Sequence, residues 1–272
     1  MSSRIRRPRQ ALATAAILQL ARRTRYVEAE MLGLRSLIKP GSVCMDVGAA
    51  AGLYTLVLSG LAGTAGQVHS FEPVPFAHPA LTRLLGARLS RNVSHHAHAL
   101  GAEPGRGVMS VPVSRRGPVT GRSFLDAQCD GLGSNSEFAD QVRVDVDVRT
   151  LDEVCAGMTR LDFIKIDVEG AELQVLKGGA ASIEKFRPAL LIEIEERHTS
   201  RYQHSAADVA EWLAHRNYRM LSWQDGWQET DAVCGHVRNY LFLPDGRAGH
   251  VGVPAARSAR RVPDSQKLAA AG

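Results

Sequence analysis

Short apolar runs that end in an acid or a glycine alternate along this chain with longer stretches of helical period. The runs fall at residues 43–47, 67–71, 93–98, 161–166, 189–194, 218–223 and 238–243, each of strand length. Between them, helices are expected over Tyr26–Ile38 up to the Pro40-Gly41 stop, from Leu53 to about Leu61, and over Pro75–Leu89. Further helices are expected from about Ala171 to Gly178-Gly179 and over Ala206–His215. Strands that alternate with helices predict an α/β protein built on a largely parallel sheet. The rhythm breaks from Gly101 to Gly133, which is rich in glycine, proline and arginine and suggests one strand at Val108–Val113. Then Val142, Val144, Val146 and Val148 alternate with charged residues, the signature of a strand with one wet face. Trp223 to Trp227 reads as a turn.

Two strand ends carry candidate chemistry. Val43 to Val47 runs into Gly48-Ala49-Ala50-Ala51-Gly52, a small-residue turn that opens a helix. Glycine lets such a turn approach a ligand without a Cβ in the way. The next strand ends in Phe71-Glu72-Pro73, where a ribose-binding carboxylate belongs, about twenty residues further on. The spacing Asp46-x-Gly48-x-Ala50-x-Gly52 lacks the last glycine of a dinucleotide loop and sets a carboxylate before the turn. An anion there repels a pyrophosphate and attracts the amino group or sulfonium of S-adenosylmethionine.

The chain of 272 residues suits one substantial core with appendages. Its formal charge of +5 sits at the ends, because residues 1–27 hold seven arginines and no acid, which leaves the body acidic. The body has no basic face with interleaved aromatics, so a nucleic-acid partner is not expected. Cys44, Cys129, Cys155 and Cys234 are scattered, as in a reduced cytoplasmic protein. Ala11–Ala21 lies between arginines and reads as a basic helix that covers the domain edge, with weak contact to an anionic membrane as the sharper alternative. No apolar run is long enough to span a bilayer. His95, His96 and His98 are read as ordinary surface or core histidines, since His95 faces away from the other two on a strand.

The loop at 46–52, Phe71-Glu72-Pro73 and Lys165-Ile166-Asp167-Val168-Glu169-Gly170-Ala171-Glu172 stand in this order. With them come Thr150-Leu151-Asp152, Arg187–Glu195 and Asn239–Pro244. Over roughly residues 26–244 the sequence resembles the FkbM-type S-adenosylmethionine-dependent methyltransferases. Ala50 departs from that pattern, standing where the family usually has asparagine. The resemblance implies a Rossmann-like class I methyltransferase fold, with a mostly parallel seven-stranded sheet, helices on both faces and a C-terminal antiparallel hairpin. It also implies a methyltransferase domain over 41–245, while charge and composition predict a basic helical extension over 1–40 and a disordered tail over 246–272.

On the same resemblance, cofactor contacts are expected from Asp46, Gly48, Ala49, Gly52, Tyr54, Glu72, Leu100, Ser134 and Asp167. Glu72 would accept the ribose hydroxyls, Leu100 would pack on adenine, and Asp46 would face the methionine end. The implied reaction is O-methylation of a small molecule or sugar in specialised-metabolite or glycolipid biosynthesis. The base is then sought first in Asp167 or Glu169 and second in His198, from a pool that includes Glu193 and Glu195. A group of carboxylates here could hold Mg²⁺, but the resemblance does not require a metal and none is expected. The competing readings are a non-catalytic binding or scaffold protein that keeps the fold and, less favoured, an NAD-dependent oxidoreductase.

Overall fold

A computed structural model of the chain describes residues 7–24, 27–74, 91–127 and 129–246. The expected helix at 75–89 and the tail from 247 lie outside these residues. In chain order the strands are β1 (Val43–Val47), β2 (Gln67–Phe71), β3 (Val93–His96), β4 (Ala99–Leu100), β5 (Gly105–Ser114), β6 (Gly117–Pro118) and β7 (Phe124–Leu125). They continue with β8 (Asp140–Arg149), β9 (Phe163–Ile166), β10 (Ala189–Glu193), β11 (Tyr218–Trp223), β12 (Trp227–Glu229) and β13 (Asn239–Pro244).

The larger sheet has the order β12-β11-β13-β10-β9-β1-β2-β3. The strands β3, β2, β1, β9 and β10 run parallel, and β13 enters antiparallel between β10 and β11. This is the Rossmann-like class I methyltransferase arrangement, with one correction to the sequence reading. The sheet has eight strands rather than seven, because Trp227–Glu229 returns along β11 and adds an edge. Successive side chains of the central strands feed two different cores: Cys44, Phe163 and Leu191 pack on one face, Met45, Ile164 and Leu190 on the other. Both faces are therefore buried, which explains why these strands read as continuous apolar runs.

The helix α1 (Arg7–Arg23) lies on α3 (Leu53–Ala62), burying Leu18 and Ala21. None of the described helices is long and apolar enough to cross a membrane. The helix expected over Tyr26–Ile38 is instead a 3-10 turn at Ala29–Gly33 followed by the short α2 (Leu34–Leu37). The cause is packing against the β11–β12 hairpin, since a Cβ on Gly33 would fall 2.5 Å from the Trp227 indole nitrogen.

The segment between β3 and β9 builds a second sheet in the order β4-β8-β5-β6, with β7 on β5. The strand expected over 93–98 is thus divided, the first sheet keeping Val93–His96 and the second taking Ala99–Leu100. The valines expected to line one dry face do so in part: Val146 and Val148 are buried with Met109 and Leu125, while Val142 is exposed near the rim.

Candidate active site

The strand order reverses at β1, whose neighbours β2 and β9 leave in opposite directions along the sheet. Ligands of open α/β sheets bind outside the carboxyl ends of the strands at such a switch point. Here those ends are Gly48, Glu72 and Asp167. The turn after β1 is held by N–H donation from Gly48 and Ala49 to the Phe71 carbonyl at 3.0 and 2.9 Å. Gly48 has φ +82°, and a Cβ on it would lie 1.7 Å from the Asp167 carbonyl oxygen. Glycine is needed there first to let two strand ends meet. Gly52, with φ +78°, is the left-handed residue from which α3 starts.

A cleft opens over these ends, lined by Gly48, Ala50, Glu72, His98, Leu100, Asp167 and Glu169, among others. Its far wall comes from the second sheet through Met109, Ser123 and Leu125. A second cavity shares Gly48, Ala50 and Asp167 with the first and adds Glu28, Asp46, Ala49, Tyr54 and Lys165. The two lie side by side, with Gly48, Ala50 and Asp167 lining both.

Glu72 is 5% exposed, and its two carboxylate oxygens accept the Ala50 N–H at 2.8 Å and the Val74 N–H at 2.9 Å. It therefore shapes the loop as well as facing the cleft. Each oxygen can accept again, so the pair suits two vicinal hydroxyls. Leu100 is buried beside it on the cleft wall. Asp46, expected to face a cofactor, is only 2% exposed and accepts the Thr55 hydroxyl. Burial raises its pKa to about 6, against the Thr55 hydrogen bond and the Lys165 charge. The hydroxyl of Tyr54 donates to Glu28 at 2.5 Å. Ser134 falls in the 3-10 turn Gly133–Glu137, and its side chain lies outside the described residues. Its neighbour Asn135 is buried and donates to the Arg122 carbonyl.

At the end of β9 the chemistry is dominated by acids around one cation. Lys165 is fully buried, 3.5 Å from the Asp167 carboxylate and over the Tyr54 ring. Burial acts to discharge it, but Asp167, Glu193, Glu28 and Asp46 together hold its pKa above the ordinary value. For Asp167 burial acts upward, and Lys165 with the Glu193 hydrogen bond outweighs it, leaving the pKa lowered. Glu193 is the reverse case, pushed far above the usual carboxylate range by burial and by the Asp167 charge, so it carries the proton of the pair.

One oxygen each from Asp167, Glu169 and Glu193 lie within 4.8 Å of one another, a spacing a hard cation could bridge. Lys165 already sets a positive charge beside Asp167 there.

Glu169 sits at φ +57°, a left-handed conformation that carries strain for a residue with a side chain. The Arg201 side chain, stacked on Phe124, donates to its carbonyl. The turn that follows is close-packed, since a Cβ on Gly170 would lie 2.4 Å from the His198 carbonyl. His198 is buried, with Nδ1 2.8 Å from Glu169 Oε2, and it does not line the cleft. The structure thus brings Asp167 and Glu169 into the cleft and places His198 behind Glu169. Glu195 is turned away, paired with both nitrogens of the Arg197 fork.

Two groups escaped the sequence reading. Glu28 lies in a segment read as plain helix, and no sequence pattern marks it. Lys165 did carry a signal, because a lysine inside an apolar strand must find carboxylates. Of the histidines, His96 packs on Phe71 with His69 beside it, and His98 reaches the cleft wall.

The doubly accepting carboxylate and the acidic wall beyond the turn suit a ligand with vicinal hydroxyls and a cationic end. The family profile described as the methyltransferase FkbM domain matches residues 46–220. A curated relative, methyltransferase sdnD of Sordaria araneosa, is 29% identical over 156 residues, covering 49% of this chain and 59% of that protein. The chain thus spans under two thirds of that relative's length. Among solved structures, methyltransferase FkbM from Methylobacillus flagellatus KT aligns with TM-score 0.46 and 18% identity, over 77% of this chain and 47% of that one. A methyltransferase from Aquifex aeolicus, described as SAM-dependent, aligns with TM-score 0.44 and 16% identity, over 85% and 97%.

Proposed function

The chain belongs to the FkbM family of S-adenosylmethionine-dependent methyltransferases, and from that premise we propose that it methylates a hydroxyl of a small molecule or sugar, with Glu169 as the base. The observation that carries this reading is the opening of Asp167 and Glu169 into one cleft with Glu72 and Leu100. When bound, S-adenosylmethionine supplies an electrophilic methyl group on a sulfonium that leaves as a neutral thioether.

In this reading Glu72 holds the ribose and Leu100 packs on the base. Asp167, whose pKa is lowered beside Lys165, stays ionised and is a poor proton acceptor. Its use is electrostatic, as a fixed negative charge near the sulfonium. Glu169 receives the acceptor's hydroxyl proton as the new oxygen–carbon bond forms. His198 keeps that carboxylate aimed. The Met109, Ser123 and Leu125 wall offers apolar surface and a hydroxyl, which suits an acceptor with an apolar body and polar substituents. Specialised-metabolite or glycolipid synthesis is the setting that the family resemblance supports.

The test is a methyl-transfer screen of hydroxylated metabolites and glycolipids read by mass spectrometry, with matched amines in parallel. Products methylated on oxygen are expected. Methylation of amines alone would overturn the hydroxyl reading.

A further inference from the structure

We propose that Glu28, oriented by Tyr54, is the binding site for the α-ammonium group at the methionine end of the cofactor. This rests on the two cavities being the S-adenosylmethionine site, and it assigns a binding role to a segment that precedes the family-matched residues 46–220.

The cavity that holds Glu28 shares Gly48, Ala50 and Asp167 with the cleft that holds Glu72 and Leu100. A ligand whose nucleoside lies in the first cavity has the second beside it for its other end. That second cavity is lined by the carboxylates of Glu28, Asp46 and Asp167 against one cation, Lys165.

The carboxylates are not equivalent. Asp167 is already matched by Lys165 at 3.5 Å, and Lys165 also donates to the Ile166 carbonyl. Asp46 is almost wholly enclosed and accepts Thr55. Glu28 is partly exposed on the cavity wall, and among the described residues no cation stands within ion-pair distance of it. Its Oε2 accepts the Tyr54 hydroxyl at 2.5 Å, which fixes the carboxylate at the cavity. The backbone supports this placement: Glu28 is the extended residue before the 3-10 turn Ala29–Gly33, which is anchored by Met31 in the core. This cavity holds more carboxylates than cations, and an incoming ammonium adds positive charge to it.

The test compares two ligands by titration calorimetry. S-adenosylhomocysteine carries the amino-acid end, and 5′-methylthioadenosine has the same nucleoside and a thioether without it. Glu28→Gln keeps the shape and removes the charge. It should weaken S-adenosylhomocysteine by about tenfold to a hundredfold, the range for one charge-assisted hydrogen bond, and leave 5′-methylthioadenosine unchanged. Tyr54→Phe should show a smaller loss with the same selectivity. Retained 5′-methylthioadenosine binding also certifies that each variant is folded. Unchanged S-adenosylhomocysteine affinity in Glu28→Gln, or an equal loss for both ligands, would overturn the assignment. Wild-type protein that binds neither ligand would remove the cofactor reading beneath it.

Discussion

His198 Nδ1 stands 2.8 Å from Glu169 Oε2, so the carboxylate that faces the cleft is held by a residue that does not. Glu169 occupies a strained left-handed position between the end of β9 and the Gly170 turn, and the histidine fixes where its side chain goes. Such strain, overdetermined by the surrounding packing, is the kind found where a group must be aimed.

If Glu169 is the base, Glu169→Gln should lower single-turnover methyl transfer by roughly 10²–10⁴-fold with cofactor affinity unchanged. Asp167→Asn should instead impair cofactor binding more than rate. A near-wild-type rate for Glu169→Gln at saturating cofactor would return Asp167 to candidacy.

Gly48→Ala must place a Cβ where the Asp167 carbonyl stands, in a backbone conformation with φ +82°. The left-handed conformation alone costs about 1–2 kcal/mol for a residue with a side chain, and the clash adds to it. Chemical denaturation should show a loss larger than that. A change within experimental error would mean that the two strand ends can separate freely.

Ala50 has φ +43°, a region in which asparagine and glycine are at home and alanine is not. The departure from the family pattern at this position therefore carries a conformational cost as well as the loss of a polar group. Ala50→Asn should stabilise the protein by up to about 1 kcal/mol in equilibrium denaturation. A destabilised variant would show that the turn has adapted to alanine.

Removing Glu72 strips a partner from the Ala50 and Val74 N–H groups as well as from the ribose. Glu72→Ala should weaken S-adenosylmethionine by on the order of 1.5–3 kcal/mol and lower the melting temperature too. Calorimetry that finds full affinity in the folded variant would take Glu72 out of the site.

Glu172 caps the turn after Glu169 by accepting the Val168 and Gly170 N–H groups, and burial raises its pKa from 4.5 to about 7. The folded state thus holds this proton more tightly than the unfolded chain. The stability it contributes is complete below pH 4.5 and is lost as the pH rises through about 7. Glu172→Gln cannot ionise, so it should flatten that slope and be more stable than wild type at pH 8, by about 1 kcal/mol or more. Parallel pH profiles for the two proteins would refute this.

The central sheet was legible because its strands are buried on both faces and end at glycine or acid, so β1, β2 and β11 fall where the apolar runs do. The loop, Glu72, Asp167 and Glu169 were legible for the same reason, as residues at strand ends. The second sheet was not. Val142–Val148 announces a strand with one wet face, but its partner lies about thirty residues away at Gly105–Val113, and sequence period says nothing about pairing. Glu28 was hidden for a different cause. The apolar spacing of Val27, Met31 and Leu34 suits a helix, and only the tryptophans that press on Gly33 make it a 3-10 turn.

The strand Asn239–Pro244 is the last of the sheet in the chain yet lies between β10 and β11. During synthesis the β11–β12 hairpin therefore emerges without the neighbour that joins it to the rest of the sheet. Until β13 arrives, the nascent protein exposes two unpaired edges, one on β10 and one on the hairpin, each able to pair with a foreign strand. Pairing of β13 thus closes the sheet, and the interval before residue 244 is made is the one in which these two edges most need protection from aggregation.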